Sequence, residues 1–235
     1  LSTKDGLNLM VNEHRKSAIA VKKIINDIEL VVEKIVSHIR QSNSSRLIYV
    51  GAGTSGRIGL QDGIELYPTF GWPKKRVDFL IAGGFDALLK SIENAEDNLN
   101  NASKNFKSLK INRKDVVIGI AASGNTPYTC KVLELSQKVN ALTVGISNNK
   151  FGNLFLYSGF QLFLDTRQEI LAGSTRLKAG TAQKICLNTI STMIMTKLGF
   201  VKKGMMINMV PMNEKLKKRE SVSYTHLTLP TIVGV

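Results

Sequence analysis

Cysteine is scarce. Cys130 and Cys186 are the only two in 235 residues, too few to staple a chain of this size, so a reducing compartment suits it better than an oxidising one. No apolar run approaches the roughly 20 residues that cross a bilayer. The opening residues, LSTKDGLNLMVNEHRK, carry no apolar stretch of the signal-peptide kind. A cytoplasmic protein with no membrane partner is the expectation. Histidine is as sparse: His14, His38 and His226 are isolated and lack metal-ligand spacing, so no metal and no cofactor is expected. Aromatic residues make up 6% of the chain, which leaves little to stack on bases.

Acidic residues are also in deficit, 18 against 32 Lys and Arg, for a formal charge of +14. Such an excess first suggests a polyanionic partner. The basic residues, however, are spread along the chain as pairs such as Lys22-Lys23 and Lys202-Lys203. The only dense run, Lys215, Lys217, Lys218 and Arg219, contains no aromatic residue. We read the charge as a solvated surface and expect no nucleic-acid partner. With 43% hydrophobic residues, the chain can bury a substantial core.

Residues 13–42 place Ile and Val at helical spacing and predict one long helix, or two broken near Asn26-Asp27. The period then changes. Leu47 to Val50 is a short apolar run ending at Gly51, and Val77–Ala82, Asp115–Ala122, Ala141–Ile146 and Phe160–Leu164 repeat the pattern. Helical stretches follow at 85–108, from Pro127 through about Lys138, and at 178–199. Strands alternating with helices predict a doubly wound α/β domain: a parallel sheet of about five strands flanked by helices, preceded by an N-terminal helix. Its ligand belongs beyond the carboxyl ends of the strands.

Three of those ends are built from small hydroxyl residues and glycine. Gly51-Ala52-Gly53-Thr54-Ser55-Gly56 fits G-x-G-x-x-G, whose first reading is a dinucleotide site. That reading needs an acid at the end of the next strand, but the strand ends in Leu80-Ile81-Ala82-Gly83-Gly84, and Asp78 stands at its beginning. The second loop is Ser123-Gly124-Asn125-Thr126, with Pro127 suited to a first helical turn. The third is Gly173-Ser174-Thr175-Arg176, before the 178–199 helix. Hydroxyls and free N–H groups at helix N-termini bind phosphate without metal. One such loop is an ordinary cap; three on one sheet predict a small phosphorylated ligand.

The segments LIYVGAGTSGRIG (47–59), ENAEDN (93–98), DVVIGIAASGNTPY (115–128) and GSTRLKAGTAQK (173–184) resemble, in order and spacing, the sugar isomerase (SIS) domain family, and more narrowly its N-acetylmuramic acid 6-phosphate etherases. The resemblance covers about residues 45–220. It implies cleavage of a D-lactyl ether by elimination and water addition, without cofactor, in a cytoplasmic homodimer. It implies Glu65 as general acid and Glu96 as general base, although without it both read as solvent-exposed helix glutamates. Substrate and phosphate contacts carry over to Gly53, Thr54, Ser55, Ser123, Gly124, Thr126, Ser174, Thr175 and Lys178. Arg176 and Lys178 suit either an anionic substrate group or a carboxylate partner, and Glu169 falls where related sugar isomerases carry a catalytic glutamate. A non-catalytic sugar-phosphate sensor of the glucokinase regulatory protein type is the alternative.

The organisation expected is an N-terminal helical segment (1–45), a phosphosugar-binding domain (46–220) and a tail (221–235) foreign to the family, consistent with a sequencing or assembly artefact. The family pattern implies further segments before and after this chain. Asn125 replaces the arginine usual in that pattern, and Gln61, Gly63, Ile64 and Tyr67 change the surroundings of Glu65.

Overall fold

The computed structural model describes residues 1–90 and 92–210. The basic run 215–219, His226 and the tail 221–235 lie outside them. Five parallel strands, β1 (Leu47–Gly51), β2 (Val77–Ile81), β3 (Val116–Ala121), β4 (Leu142–Ser147) and β5 (Phe160–Phe163), form one sheet in the order β2-β1-β3-β4-β5. Among the described residues, seven helices lie around it: α1 (Thr3–Lys23), α2 (Ile25–Arg40), α3 (Gly53–Phe70), α4 (Asp86–Leu89), α5 (Leu99–Leu109), α6 (Pro127–Lys138) and α7 (Lys178–Lys197). A short antiparallel hairpin, β6 (Val201–Lys202) and β7 (Met205–Met206), follows.

The sheet is as anticipated, but the helices differ in two places. The N-terminal helix breaks at Ile24, where the helical dihedrals lapse, rather than near Asn26-Asp27. The stretch 85–108 is not one helix. Gly83 and Gly84 both take positive φ, Asn94 is left-handed, and only α4, a 3-10 turn at Ala95–Asp97 and α5 are helical.

Strand order changes direction between β1 and β3, because β2 lies on one side of β1 and β3 on the other. In open α/β sheets that switch point opens the ligand crevice. The loops after β1 and β3, both singled out from sequence, flank it. At the opposite, amino edge, Arg46 clamps the strands: its guanidinium grips both carboxylate oxygens of Asp115 at 2.9 and 2.7 Å and reaches Asp78 Oδ2 at 3.0 Å. Asp78 therefore serves the far edge of the sheet and is unavailable to a ribose in the crevice.

Helix α3 approaches the sheet along a stripe of small residues. A methyl group on Gly59 would lie 2.7 Å from Ile120 Cδ1, and one on Gly63 would lie 2.5 Å from the Phe79 ring. Backbone also meets backbone: a Cβ on Gly51 would sit 2.8 Å from Gly56 N. Asp62 ties α3 both to β1 and to α7. Its buried carboxylate accepts hydrogen bonds from Tyr49 Oη (2.8 Å), Asn188 Nδ2 (2.6 Å) and Ser191 Oγ (3.0 Å). Burial, and then the neighbouring Asp62 charge, push the Cys186 thiol up to about 12; burial takes Cys130 to about 11. Both are free and buried, so neither is a thiolate nucleophile near neutral pH.

Overpacking a rigid contact costs about 1–3 kcal/mol. Gly51→Ala, meeting backbone that cannot turn aside, should lie at the upper end, about 3 kcal/mol. Urea unfolding of the variant at neutral pH, with an unchanged m-value, is the check.

Candidate functional site

Parallel strands joined by helices send each helix back from the carboxyl edge to the amino edge. The first turn of α3 therefore opens at the carboxyl end of β1, and its unpaired N–H groups line the crevice. Ala52 is the N-cap and supplies no side-chain bond, so those donors remain free for an anion. Gly53 takes φ +51° with open space around it. Thr54 is half-buried and Ser55 buried, on the first turn itself.

The second loop is held by its neighbours. Gly124 (φ +68°) lies so close to Gly152 that a Cβ would come within 2.7 Å of Gly152 Cα. Asn149 Nδ2 donates to Ser123 O at 2.9 Å, and Asn153 N donates to Asn125 Oδ1 at 2.9 Å. Ser123 Oγ accepts the Asn125 N–H at 3.1 Å. Thr126 caps α6 without a side-chain cap bond, which leaves its hydroxyl for a ligand.

The third loop behaves differently. The carboxylate of Glu169 accepts the N–H groups of Ala179 (2.8 Å) and Lys178 (3.3 Å). The N-terminus of α7 thus already holds an anion, the chain's own. Ser174 is half-buried, while Thr175 and Arg176 are exposed. The loop nonetheless adjoins the first: a methyl on Gly180 would lie 3.3 Å from Thr54 Cγ2.

Two clefts open at this edge. The first, about 330 Å³, is lined by Gly53, Arg57, Lys90, Glu93, Glu96 and Asp97 among others. It brings Glu96 to the mouth of the first loop. The second, about 810 Å³ and more open, includes Glu13, Lys16, Asn148, Lys150, Arg167 and Lys178. Lys178 is 2% exposed and its Nζ donates to Glu13 Oε2 at 2.6 Å. Of its two expected partners, a substrate anion or a carboxylate, the carboxylate occupies it.

Glu65 is not brought to either cleft. It is exposed, twelve residues beyond Gly53, about 18 Å down the helix axis and toward the amino edge of the sheet. Glu13, Arg57 and Gln183 are residues that sequence reasoning passed over. Gln183 is fully buried and donates to Asn148 Oδ1 at 3.0 Å. Arg57 stood inside a quoted motif, a usable signal. The Glu13–Lys178 pair, 165 residues apart, had none. His14 Nδ1 lies 3.2 Å from Thr181 Oγ1 and joins the same α1–α7 seam. Among the described residues no three His, Cys, Asp or Glu side chains converge as a metal site, and no helix is long and apolar enough to cross a membrane.

The fold and its loops define the class: an SIS-type α/β domain. Residues 28–137 match the glucokinase regulatory protein N-terminal SIS domain family. Solved structures agree on the fold. A phosphoheptose isomerase from Francisella tularensis superposes with a TM-score of 0.63 at 13% identity, covering 83% of this chain and 100% of that one. The Vibrio vulnificus NanR protein complexed with ManNAc-6P gives 0.59 at 12% identity, covering 99% and 72%. Sequence narrows the assignment. An N-acetylmuramic acid 6-phosphate etherase of Bacillus cereus (strain ATCC 14579) is 47% identical over 219 residues, 93% of this chain and 74% of the relative. Its counterpart in Geobacillus sp. (strain WCH70) is 46% identical over the same shares. The chain belongs to the N-acetylmuramic acid 6-phosphate etherase family.

Hydrogen bonds from Lys16 and Lys178 pull the Glu13 carboxyl down from 4.5 to about 2. A pKa depressed by folding stabilises the native state above the unfolded value and ceases to do so as pH falls toward the folded one. Glu13→Gln should therefore be less stable than wild type at neutral pH, where it leaves the buried Lys178 ammonium uncompensated. The gap should close between about pH 4.5 and about pH 2. Urea midpoints of the two proteins across that range provide the check.

Proposed function

We propose that the chain cleaves the D-lactyl ether at C3 of N-acetylmuramic acid 6-phosphate, giving N-acetylglucosamine 6-phosphate and D-lactate. The observation that carries this reading is the shared cleft of Gly53 and Glu96 at the carboxyl end of β1, in a chain whose relatives named as the etherase match 93% of its length. The regulatory alternative draws on a match to 28–137 alone.

The 6-phosphate binds at the first turn of α3 and at the free hydroxyl of Thr126, with Thr54, Ser55, Ser123 and Gly124 shaping the pocket. In the ring-opened sugar the C1 aldehyde acidifies the C2 hydrogen. Glu96, at the rim of that pocket, takes this proton. The C2–H electron pair forms the C2–C3 double bond as the C3–O bond breaks, and lactate leaves with a proton from the general acid. Water then adds its hydroxyl at C3 and gives its proton back to the general acid, while Glu96 returns its proton to C2, restoring the saturated sugar and both carboxyl groups. A carboxylate in each role is what such an elimination needs. No step calls for a metal or an organic cofactor.

Glu65 is our proposed acid. Because it faces solvent well away from its own chain's cleft, it serves the cleft of a second copy, in a cytoplasmic homodimer. The half-buried Ser174 and the exposed Thr175 and Arg176 meet the lactyl end of the substrate. Lys178 and Glu169 take supporting roles, holding α7 against α1 and closing its N-terminus.

Wild-type protein incubated with N-acetylmuramic acid 6-phosphate should release D-lactate; phosphosugar binding without lactate would overturn the enzyme reading. Glu96→Gln should lose about 10²–10⁴-fold in turnover and stop exchanging the C2 hydrogen with solvent deuterium. Glu65→Gln should lose lactate release while C2 exchange persists. If the acid acts across a dimer, each mixed dimer has one site with both carboxylates intact. Refolding the two inactive variants together should then restore about a quarter of wild-type activity, as statistical pairing in a two-fold dimer requires. No recovery would place both residues in one subunit's site.

A further inference from the structure

Glu96 sits on an unusual piece of chain. Residues 83–97 leave β2 through two positive-φ glycines, and their only regular structure is the four-residue α4 and one 3-10 turn. Apolar anchorage is slight: Ala87 is buried, Ala95 packs against the buried cluster that holds Val50, Ala102 and Phe106, and Phe85 and Leu89 are 71% and 93% exposed. Among the described residues, two hydrogen bonds tie this segment to a distant part of the fold. Arg57 Nη2 donates to Ala87 O at 2.8 Å and Arg57 Nε donates to Leu88 O at 3.2 Å. The segment's remaining non-helical backbone bonds close within four residues of chain.

Arg57 belongs to α3, one turn beyond the loop proposed to hold the phosphate, and it lines the same cleft as Glu96. The two carbonyls it takes are among those that the end of α4 leaves without intrahelical partners. A planar, always-charged fork suits two adjacent carbonyl oxygens, whereas a lysine is a point charge on a flexible stem and lacks that fixed spacing. From this geometry we infer that Arg57 is the positioning residue for Glu96: it fixes the distance between the phosphate-binding turn and the base by pinning the chain that carries the base. The inference rests on the proposed role of Glu96. Arg57 has no proton to exchange in the reaction and acts through the segment it holds.

Misplacing a base by about 1 Å can cost on the order of 10²-fold in rate. Arg57→Ala should therefore lower kcat by about 100-fold and slow C2 hydrogen exchange in parallel. KM and the affinity for N-acetylglucosamine 6-phosphate should stay within about twofold, because the first turn of α3 binds phosphate through backbone donors. Arg57→Lys should fall between Arg57→Ala and wild type. Amide hydrogen exchange should rise in residues 83–97 of both variants and remain unchanged in β1 and β3. A loss confined to KM would overturn the inference in favour of direct substrate binding by Arg57. Unchanged kcat, or unchanged exchange in 83–97, would overturn it outright. Should the alanine variant fail to fold, the lysine variant carries both measurements. The exchange measurement needs no turnover, so a wild type that released no lactate would sink the etherase reading while leaving the pinning of 83–97 still decided.

Discussion

The close approach of α3 to the sheet governs how the crevice is made. Backbone meets backbone where Gly51 faces Gly56, and Gly59 and Gly63 continue the contact with no room for a methyl group. A helix held at ordinary distance would carry its first turn away from the strand ends. Held this close, it puts free N–H groups beside the end of β1 and leaves Thr54 and Ser55 as the residues in reach of an anion. Asp62 fixes the helix further through three neutral donors, one on β1 and two on α7. Those hydrogen bonds suit a buried charge that has no cation among them. Arg57 is a consequence of the same placement, because only a helix so seated can reach the carbonyls at the end of α4.

Charge is distributed less simply than a total of +14 implies. The first cleft carries Glu93, Glu96 and Asp97 against Arg57 and Lys90, with Arg57 committed to carbonyl oxygens. The second carries Lys16, Lys150, Arg167 and Lys178 against Glu13. Within one edge of the sheet, an acid-rich rim therefore stands beside a cation-rich one. Under the proposed reaction, the basic excess would draw an anionic substrate toward the edge, and the acidic rim supplies the carboxylate proposed as base. The proposed phosphate site, at the first turn of α3, relies instead on uncharged donors. The total charge is thus a long-range property, and the chemistry depends on its local sorting.

Most of the sheet was legible from sequence because its strands are buried on both faces and read as continuous apolar runs, such as Leu47–Val50 and Val116–Ile118. The loops were legible because glycine and hydroxyl residues interrupt those runs at the strand ends. The segment 83–97 was not. Its composition permits a helix, and what prevents one is the paired positive φ at Gly83 and Gly84 and the left-handed Asn94, which no periodicity encodes. Glu169 and Lys178 fell to long-range or capping contacts. Each had the residue type of a ligand-binding group, and each is satisfied by another part of the chain. A carboxylate on a helix N-terminus and an ammonium on a carboxylate look, in sequence, the same as groups waiting for substrate.

Asn125 shows how a departure from a family pattern acquires a physical reason. The sequence replaces a cation with an amide at the tip of the second loop, which read in isolation is a loss of affinity for anions. In the fold, Asn125 Oδ1 accepts the N–H of Asn153 at 2.9 Å, the first residue of the 3-10 turn Asn153–Tyr157. Arginine has five donors and no acceptor, so it could not close that contact. The substitution gives up a charge and gains a bond that fastens the second loop to the chain after β4. Ser123 and Thr126 then present their hydroxyls from a loop fixed at both Gly124 and Asn125. For the proposed phosphate site, such preorganisation of neutral donors would offset part of what the missing charge contributes, since a donor already in place costs no reorganisation.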